Sequence, residues 1–317
     1  MLCWGSWANT QKLAAGRWRF ELFYWDYVIG ILFAALVAAF TLGSIGRFGR
    51  GFLADFHQAS ASNIVSALLA GLIFNLANIL LTAAIAIAGM SVAFPVGIGI
   101  ALILGVLVNY VNVQKGSPAL LFTGVLVVAA AIVMNAVAYR RKSITSREPG
   151  SKGILLSVVA GVLMSFFYRF IAGAMDVNNF EAPAASKMTP YTAFVVFAAG
   201  IFISNLLFNT ILMARPLDGG RVTYRDYFAG RLSLHAVGFL GGIIWGIGNL
   251  FNLLAAGKAG PAISYGLGQG ATLIAAIWGV LIWKEFKNMG RQVGWLLAGM
   301  FGCFLIGIVL IIYAGQS

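Results

Sequence analysis

The sequence predicts an all-α integral membrane protein, a ten-helix bundle built from two inverted five-helix repeats with the first helix truncated. Three observations predict it. Of 317 residues, 61% are hydrophobic and only 9% charged, more apolar surface than a water-soluble domain can bury. Apolar runs of about 20 residues, the length that crosses a bilayer as a helix, recur along the whole chain. A stretch of the first half also returns in the second half at a constant offset.

The first element is the shortest. Residues 1–10, MLCWGSWANT, are apolar and aromatic but cannot span a bilayer. They lack the charged start and long apolar core of a signal peptide. They read as the end of helix 1, whose beginning would lie about a dozen residues before Met1. Helices 2 to 10 fall near 23–44, 63–88, 90–110, 118–139, 153–174, 191–213, 236–256, 261–283 and 293–314. The expected organisation is a first repeat at 1–139, a central cytoplasmic loop at 140–152, and a second repeat at 153–317.

The net charge is +12. The cations are scattered over loops rather than gathered in a patch, which points to membrane topology and away from nucleic acid. Loops 1–2, 5–6, 7–8 and 9–10 hold fifteen Lys and Arg residues, whereas the even loops hold five: Arg47, Arg50, Lys115, Lys187 and Lys258. The positive-inside rule places the odd loops, 140–152 included, in the cytoplasm and both termini outside, in a multi-pass protein of the cell (inner) membrane.

The repeat lies between 70–104, AGLIFNLANILLTAAIAIAGMSVAFPVGIGIALIL, and 241–275, GGIIWGIGNLFNLLAAGKAGPAISYGLGQGATLIA. At an offset of 171 without a gap, ten of these 35 positions match, among them Gly71/Gly242, Asn78/Asn249, Gly89/Gly260, Gly97/Gly268 and Gly99/Gly270. Coincidence of apolar composition would match Leu and Val rather than Gly and Asn. The offset covers five helices, an odd number, so the second copy enters the bilayer inverted. That is an architecture of secondary transporters, which hold substrate near the midplane between halves.

Several residues are costly in hydrocarbon and so point to a site. Tyr265, Gln269 and Thr272 follow i, i+4, i+7 and share one helix face. Asn75 with Asn78, Trp245 with Asn249 and Asn252, and Asn205 with Asn209 form similar faces. An isolated amide serves equally as interhelical glue, but this many amides among aromatic rings suit the lining of a polar cavity. Amides offer paired donors and acceptors, and Trp or Tyr rings offer flat apolar faces. A neutral, planar, hydrogen-bonding solute such as a ureide or nucleobase fits that chemistry, and a sugar fits almost as well. The expected lining is Trp7, Asn75, Asn78, Phe94, Trp245, Asn249, Tyr265 and Gln269. Pro95, Gly97 and Gly99, with Gly266, Gly268 and Gly270, weaken helices 4 and 9 and read as hinges, with close packing as the competing reading.

Ionisable groups are sparse within the spans. Asp26, in YWDY, is the candidate for proton coupling, set against an interfacial residue in an aromatic belt of Tyr24, Trp25 and Tyr27. Arg169 reads as a snorkelling cation. His57 and His235 lie in or beside loops and suggest neither a metal site nor a triad. Cys3 and Cys303 sit in apolar segments as buried thiols. No cofactor is expected, and a membrane enzyme or a non-transporting subunit is the weaker class.

These residues carry a family resemblance. GSWANTQKL, FELFYWDYVIG, AAFTLGSIG, the SNIVSALLAGLIFNLANIL block and KAGPAISYGLGQGATLIAAIWGVLIWKEFK resemble the ureide permeases of plants and their bacterial relatives, within the drug/metabolite transporter superfamily. The likeness covers nearly the whole chain. It implies a ten-helix carrier of oxo derivatives of nitrogen heterocycles, such as allantoin and uracil, with a proton gradient as driver. Three departures stand out. Residues 140–152, RRKSITSREPGSK, lack the Walker A-like motif of the plant central loop. Ser44 stands where plant members have a glutamate, and Arg169 where they have a proline. Sugar transport within the same superfamily is the alternative. The expected partners are therefore a small-molecule substrate, the lipid bilayer and protons.

Overall fold

In hydrocarbon the backbone must satisfy its own hydrogen bonds, so the apolar runs can only be helices. The computed structural model describes residues 1–14, 16–45, 49–88, 90–142, 151–216, 219–284, 286 and 290–316, with backbone alone for 85–88, 90–95, 139, 142 and 151. In chain order the helices are α1 (Leu2–Ser6), α2 (Ala8–Ala14), α3 (Phe20–Phe40), α4 (Leu42–Ile45), α5 (Phe52–Gln58), α6 (Ala61–Ala88), α7 (Met90–Asn112) and α8 (Pro118–Lys142). They continue with α9 (Ser151–Ala174), α10 (Pro190–Ala214), α11 (Tyr224–Phe228), α12 (Leu232–Ala259), α13 (Pro261–Gln269), α14 (Ala271–Ile277) and α15 (Arg291–Ala314). No strand occurs among the described residues. Eight segments are long and apolar enough to cross a membrane, and Val96–Asn112 of α7 is a shorter apolar stretch. The protein is an all-α, multi-pass membrane bundle.

Each of the nine expected spans is helical, with local differences that have physical causes. The N-terminal stretch forms α1 and α2, joined at Trp7 with helical dihedrals (φ −57°, ψ −36°), and packs on α12 and α14. The span at 261–283 is interrupted. α13 ends at Gln269, Gly270 turns (φ −61°, ψ −5°), and α14 then widens into a π turn at Trp278–Ile282. The rims of the expected 140–152 loop are helical, since α8 runs through Lys142 and α9 starts at Ser151. Cations are good helix formers and favour a helix C-terminus. Residues 143–150 lie outside the described residues.

Small residues bring the helices together, as expected where apolar side chains gain nothing by leaving lipid. α12 lies on α3 because Gly242 has no side chain: a Cβ there would sit 2.0 Å from the Tyr27 carbonyl oxygen. α6 lies on α10 in the same manner, with a Cβ at Gly71 falling 2.1 Å from the Phe197 carbonyl oxygen.

Short polar connections close the two ends of the bundle. At one end Arg19 pairs with Glu21 and donates to the Gly220 carbonyl at 2.7 Å, tying the α2–α3 connection to the α10–α12 connection. There α11 starts in a capping box between Thr223 and Asp226, and the bonds from Thr223 hold the Asp226 carboxyl below its ordinary range. At the other end Arg50 and the fully buried Asp55 form an ion pair at 3.0 Å. Arg50 also donates to the carbonyls of Pro183 (2.7 Å) and Lys187 (2.8 Å), while the Thr189 amide donates to Asp55 at 2.7 Å.

Candidate functional site

The centre of the bundle is aromatic. Phe74 of α6 and Trp245 of α12 have ring centroids 4.7 Å apart. Tyr27 of α3 stands edge-on to Trp245 at 6.4 Å, and Phe197 of α10 lies 5.7 Å from Phe74 and 6.3 Å from Trp245. On the N-terminal side Trp4 stacks on Trp245 at 5.8 Å, and Trp7 lies 4.7 Å from Tyr27. The two flanks of this cluster differ chemically. Phe74, Phe167 and Phe197 form a wall without polar atoms, with Phe167 at 5.2 Å from Phe74 and 5.8 Å from Phe197. Trp4, Trp7, Tyr27 and Trp245 form a wall of amphipathic rings.

Polar groups surround the amphipathic wall, and they fall into two classes. Asn75 and Asn78 are hydrogen-bonded within the protein. The Tyr24 hydroxyl donates to Asn75 Oδ1 at 2.9 Å and accepts from Asn78 Nδ2 at 3.0 Å, and Asn75 Nδ2 donates to Ser204 Oγ at 3.0 Å. The second class has no hydrogen-bond partner among the described residues. Asn249, wholly buried and one turn beyond Trp245 on α12, has both amide atoms unpaired, as do the Tyr27 hydroxyl, Trp4 Nε1 and Asn252 Oδ1. An unpaired polar group buried away from water costs about 1–3 kcal/mol, so such groups in one region of a fold call for an occupant.

The expected lining thus divides. Trp7 and Trp245 meet in the ring cluster through Tyr27, Asn75 and Asn78 meet at Tyr24, and Asn249 follows Trp245 on the same helix face. Tyr265 lies apart: its hydroxyl donates to the carbonyls of Ala101 and Met164, each at 3.2 Å, and its ring contacts Phe167 at 6.2 Å. Gln269 is 8% exposed, and its backbone carbonyl accepts from the Thr272 hydroxyl at 2.9 Å. The side chains of Phe94 and Pro95 lie outside the described residues.

The expected hinge glycines have distinct surroundings. Gly270 occupies the break between α13 and α14. Gly268 makes room for Trp4, whose Cζ3 would be 2.5 Å from a Cβ there. Gly97 presents its carbonyl to Gly161 of α9, and Gly266 faces Val106, whereas a Cβ at Gly99 would meet open space.

Other residues enter the site without having been expected. Tyr24 and Tyr27 are fully buried rather than part of an interfacial belt, whereas Trp25 packs near the rim with Met213 and Tyr224. His235 Nδ1 lies 2.9 and 3.0 Å from the two Asp26 carboxylate oxygens. The i, i+3 spacing of Tyr24 and Tyr27 was a signal that both rings share one helix face. Trp4 and Phe74 carried no local signal beyond aromaticity.

Comparison with known proteins agrees with this architecture. The family model described as ureide permease matches residues 23–149 and 139–314. "Ureide permease 1" of Arabidopsis thaliana is 22% identical over 98% of this chain and 94% of its own length. A protein of Streptococcus pyogenes serotype M1 named "Putative sugar uptake protein" is 27% identical over 51% of this chain and 57% of its own. A solved crystal structure shares the fold at a TM-score of 0.63 and 16% identity, covering 98% of this chain and 94% of that one.

Proposed function

The chain belongs to the ureide permease family, a family of membrane transporters, and from that membership and the geometry of the aromatic centre we propose that it is a secondary carrier of small neutral heterocycles of the ureide or nucleobase type. One observation carries the substrate class: the Asn249 amide, with donor and acceptor both unpaired among the described residues, one turn of α12 beyond Trp245 and its stacked partner Trp4. A lactam or ureide edge places an N–H beside a C=O and satisfies both halves of that amide at once. The rings of Trp4, Trp7, Tyr27 and Trp245 offer the planar apolar faces such a solute needs. The name "Ureide permease 1" carried by a relative that aligns over 94% of its own length supports the same class.

Why Asn249 lacks a partner follows from comparing the two halves. At the 171-residue offset Asn249 corresponds to Asn78, and the matched contacts of Gly71 with Phe197 and of Gly242 with Tyr27 set α10 against α3 at an offset of 170. Asn78 is held by the Tyr24 hydroxyl, and the residue equivalent to Tyr24 is Phe194, which has none. Asn78 is held within the first half, and its counterpart Asn249 is left for substrate in the second.

The same correspondence supports two inverted repeats working by alternating access. The N-terminal segment makes a contact of the same kind one turn out of that register: a Cβ at Gly5 would sit 2.5 Å from the Ala271 carbonyl oxygen and 2.4 Å from Ile274 Cβ, and one at Gly161 would sit 2.5 Å from the Gly97 carbonyl oxygen and 2.9 Å from Ile100 Cβ. In this reading the halves divide at 140–152, the break at Gly270 lets α13 and α14 change angle, and the end carrying Arg19 and α11 faces the cytoplasm of a cell-membrane protein.

A second reading, sugar transport, draws support from the streptococcal likeness, since amides bind hydroxyl groups as well. Uptake of labelled allantoin and uracil beside glucose and rhamnose, in proteoliposomes with and without a pH gradient, separates the two. Saturable heterocycle uptake is the expected result; sugar uptake alone would overturn the substrate and keep the carrier.

A further inference from the structure

One pair of buried polar side chains lies outside the aromatic centre. Asn205 and Asn209 of α10 are both fully buried, and their i, i+4 spacing puts them on one face of the helix. Asn209 Nδ2 donates to the Glu21 carbonyl, at the start of α3, at 2.8 Å. Asn209 Oδ1 and both amide atoms of Asn205 have no hydrogen-bond partner among the described residues. Each unpaired atom costs about 1–3 kcal/mol, and an amide without a partner cannot serve as glue between helices. Packing does not demand amides here either. At the 170-residue offset proposed for α3 and α10, the equivalent residues are Ala35 and Ala39, which are just as fully buried.

Polar side chains connect this pair to the centre. Asn205 lies about 12 Å along α10 from Phe197, toward the end carrying Arg19 and Glu21. Its neighbour Ser204 accepts from Asn75 Nδ2 at 3.0 Å, and Asn75 Oδ1 accepts from the Tyr24 hydroxyl at 2.9 Å. The Tyr24 ring lies 5.5 Å from that of Tyr27, whose own hydroxyl is unpaired among the described residues. Asn209 is one turn nearer the Arg19 end than Asn205. Hydrogen-bonding groups therefore run from the aromatic centre to that end of the bundle.

The unpaired atoms define the chemistry of an occupant. A cation would engage the two oxygens and leave Asn205 Nδ2 unpaired, and an anion would engage that nitrogen and leave the oxygens. A neutral group that offers both a donor and an acceptor satisfies all three atoms. Water has this chemistry, and so does the N–H and C=O edge of a lactam or ureide. We propose that Asn205 and Asn209 form a second binding station for the transported solute, between the aromatic centre and the Arg19 end. A solute moving to or from that end exchanges the Asn249 amide for the Asn205 and Asn209 amides. The station thus replaces hydrogen bonds to water that a polar solute gives up inside the bundle. Both residues are buried here, so solute reaches them when α10 and its neighbours separate at that end. The station rests on the heterocycle carrier proposed above.

Equilibrium binding of labelled uracil and allantoin to the full chain in nanodiscs tests it. The parent is expected to bind two heterocycle molecules per chain, and Asn205→Leu and Asn249→Leu one each. Asn205→Leu removes an amide that has no partner, so its unfolding midpoint is expected to match the parent. Thiol labelling supplies a second measurement. Cys3 and Cys303 are replaced by serine, and cysteine is placed at Asn205 or at the neighbouring Leu206, which is half exposed on the outside of the bundle. A water-soluble methanethiosulfonate attacks the thiolate, which forms in water and not in hydrocarbon. Asn205→Cys is expected to be labelled and Leu206→Cys to stay unlabelled. One molecule per chain in both the parent and Asn205→Leu would assign the pair to water, overturning the station and leaving the carrier. An unreactive Asn205→Cys would also overturn it. Binding of neither heterocycle by the parent would overturn the substrate reading and the station with it.

Discussion

The rings of Phe74 and Trp245 meet at 4.7 Å in the middle of the bundle, and the two residues stand 171 positions apart, the same interval that aligns the repeated stretches of the sequence. In the proposed inverted-repeat arrangement, equivalent residues touch each other only near the symmetry axis. Around this pair Tyr27 contacts Trp245 and Phe197 contacts Phe74. The first half contributes Tyr27 and the second Phe197, so equivalent positions differ in polarity. Symmetric packing with asymmetric chemistry suits a carrier that must close around an oriented solute.

Asn249→Leu separates function from stability. Removing a buried amide that has no partner is expected to leave the unfolding midpoint in detergent unchanged, or to raise stability by up to about 1 kcal/mol. Uptake is expected to fall at least about tenfold, near 1.4 kcal/mol of lost binding. A strongly destabilised variant would place a partner on Asn249 that the structure lacks.

Phe194→Tyr supplies to the second half the hydroxyl that Tyr24 supplies to the first. The added group is expected to engage Asn249, to raise thermal stability by about 1 kcal/mol, and to impair uptake because the amide is no longer free. Uptake at the parent rate would refute the correspondence between Tyr24 and Phe194.

Tyr24→Phe has the opposite effect on the first half. It leaves Asn75 Oδ1 and Asn78 Nδ2 without their partner, at an expected cost of about 1–3 kcal/mol per unsatisfied group. A lowered unfolding midpoint, read by intrinsic fluorescence on heating, checks it.

Gly71→Ala and Gly242→Ala probe the two equivalent helix contacts. Each adds a Cβ about 2 Å from a carbonyl oxygen of the facing helix, an overlap that backbone movement must relieve at about 1–3 kcal/mol. Similar losses in the two variants are expected; a large loss in one and none in the other would speak against equivalent contacts.

Asp55→Asn tests the clamp at the end opposite Asp26. Asn keeps the acceptor for the Thr189 amide but leaves Arg50 without its counter-ion. Loss of one partner of a buried pair costs on the order of 3–5 kcal/mol, reduced here because the Arg50 side chain is 30% exposed. Faster proteolysis within 175–189 is the expected sign.

The sequence by itself determined the solvent and hence the secondary structure. With 61% hydrophobic residues the chain needs lipid, and in lipid an apolar run has one way to satisfy its backbone. That reasoning reached all nine long spans. It also singled out Trp245, Asn249 and Trp7, because amides and amphipathic rings are costly in hydrocarbon wherever they fall. Tertiary structure decided what those costs are for. Asn75, Asn78 and Asn249 look alike in sequence, but only the position of the Tyr24 hydroxyl tells the satisfied amides from the open one. Tyr24 and Tyr27 read as an interfacial belt because depth along a helix is local information, whereas burial depends on α10 and α12 closing over that end. His235 looked like a loop residue until α12 set it against Asp26. Glycine weakened the stretch from Gly266 to Gly270 as a whole, while the packed fold, with Trp4 against Gly268, carries the break at Gly270. Propensity acts within a few residues, and pairing acts across halves that the chain separates by more than a hundred.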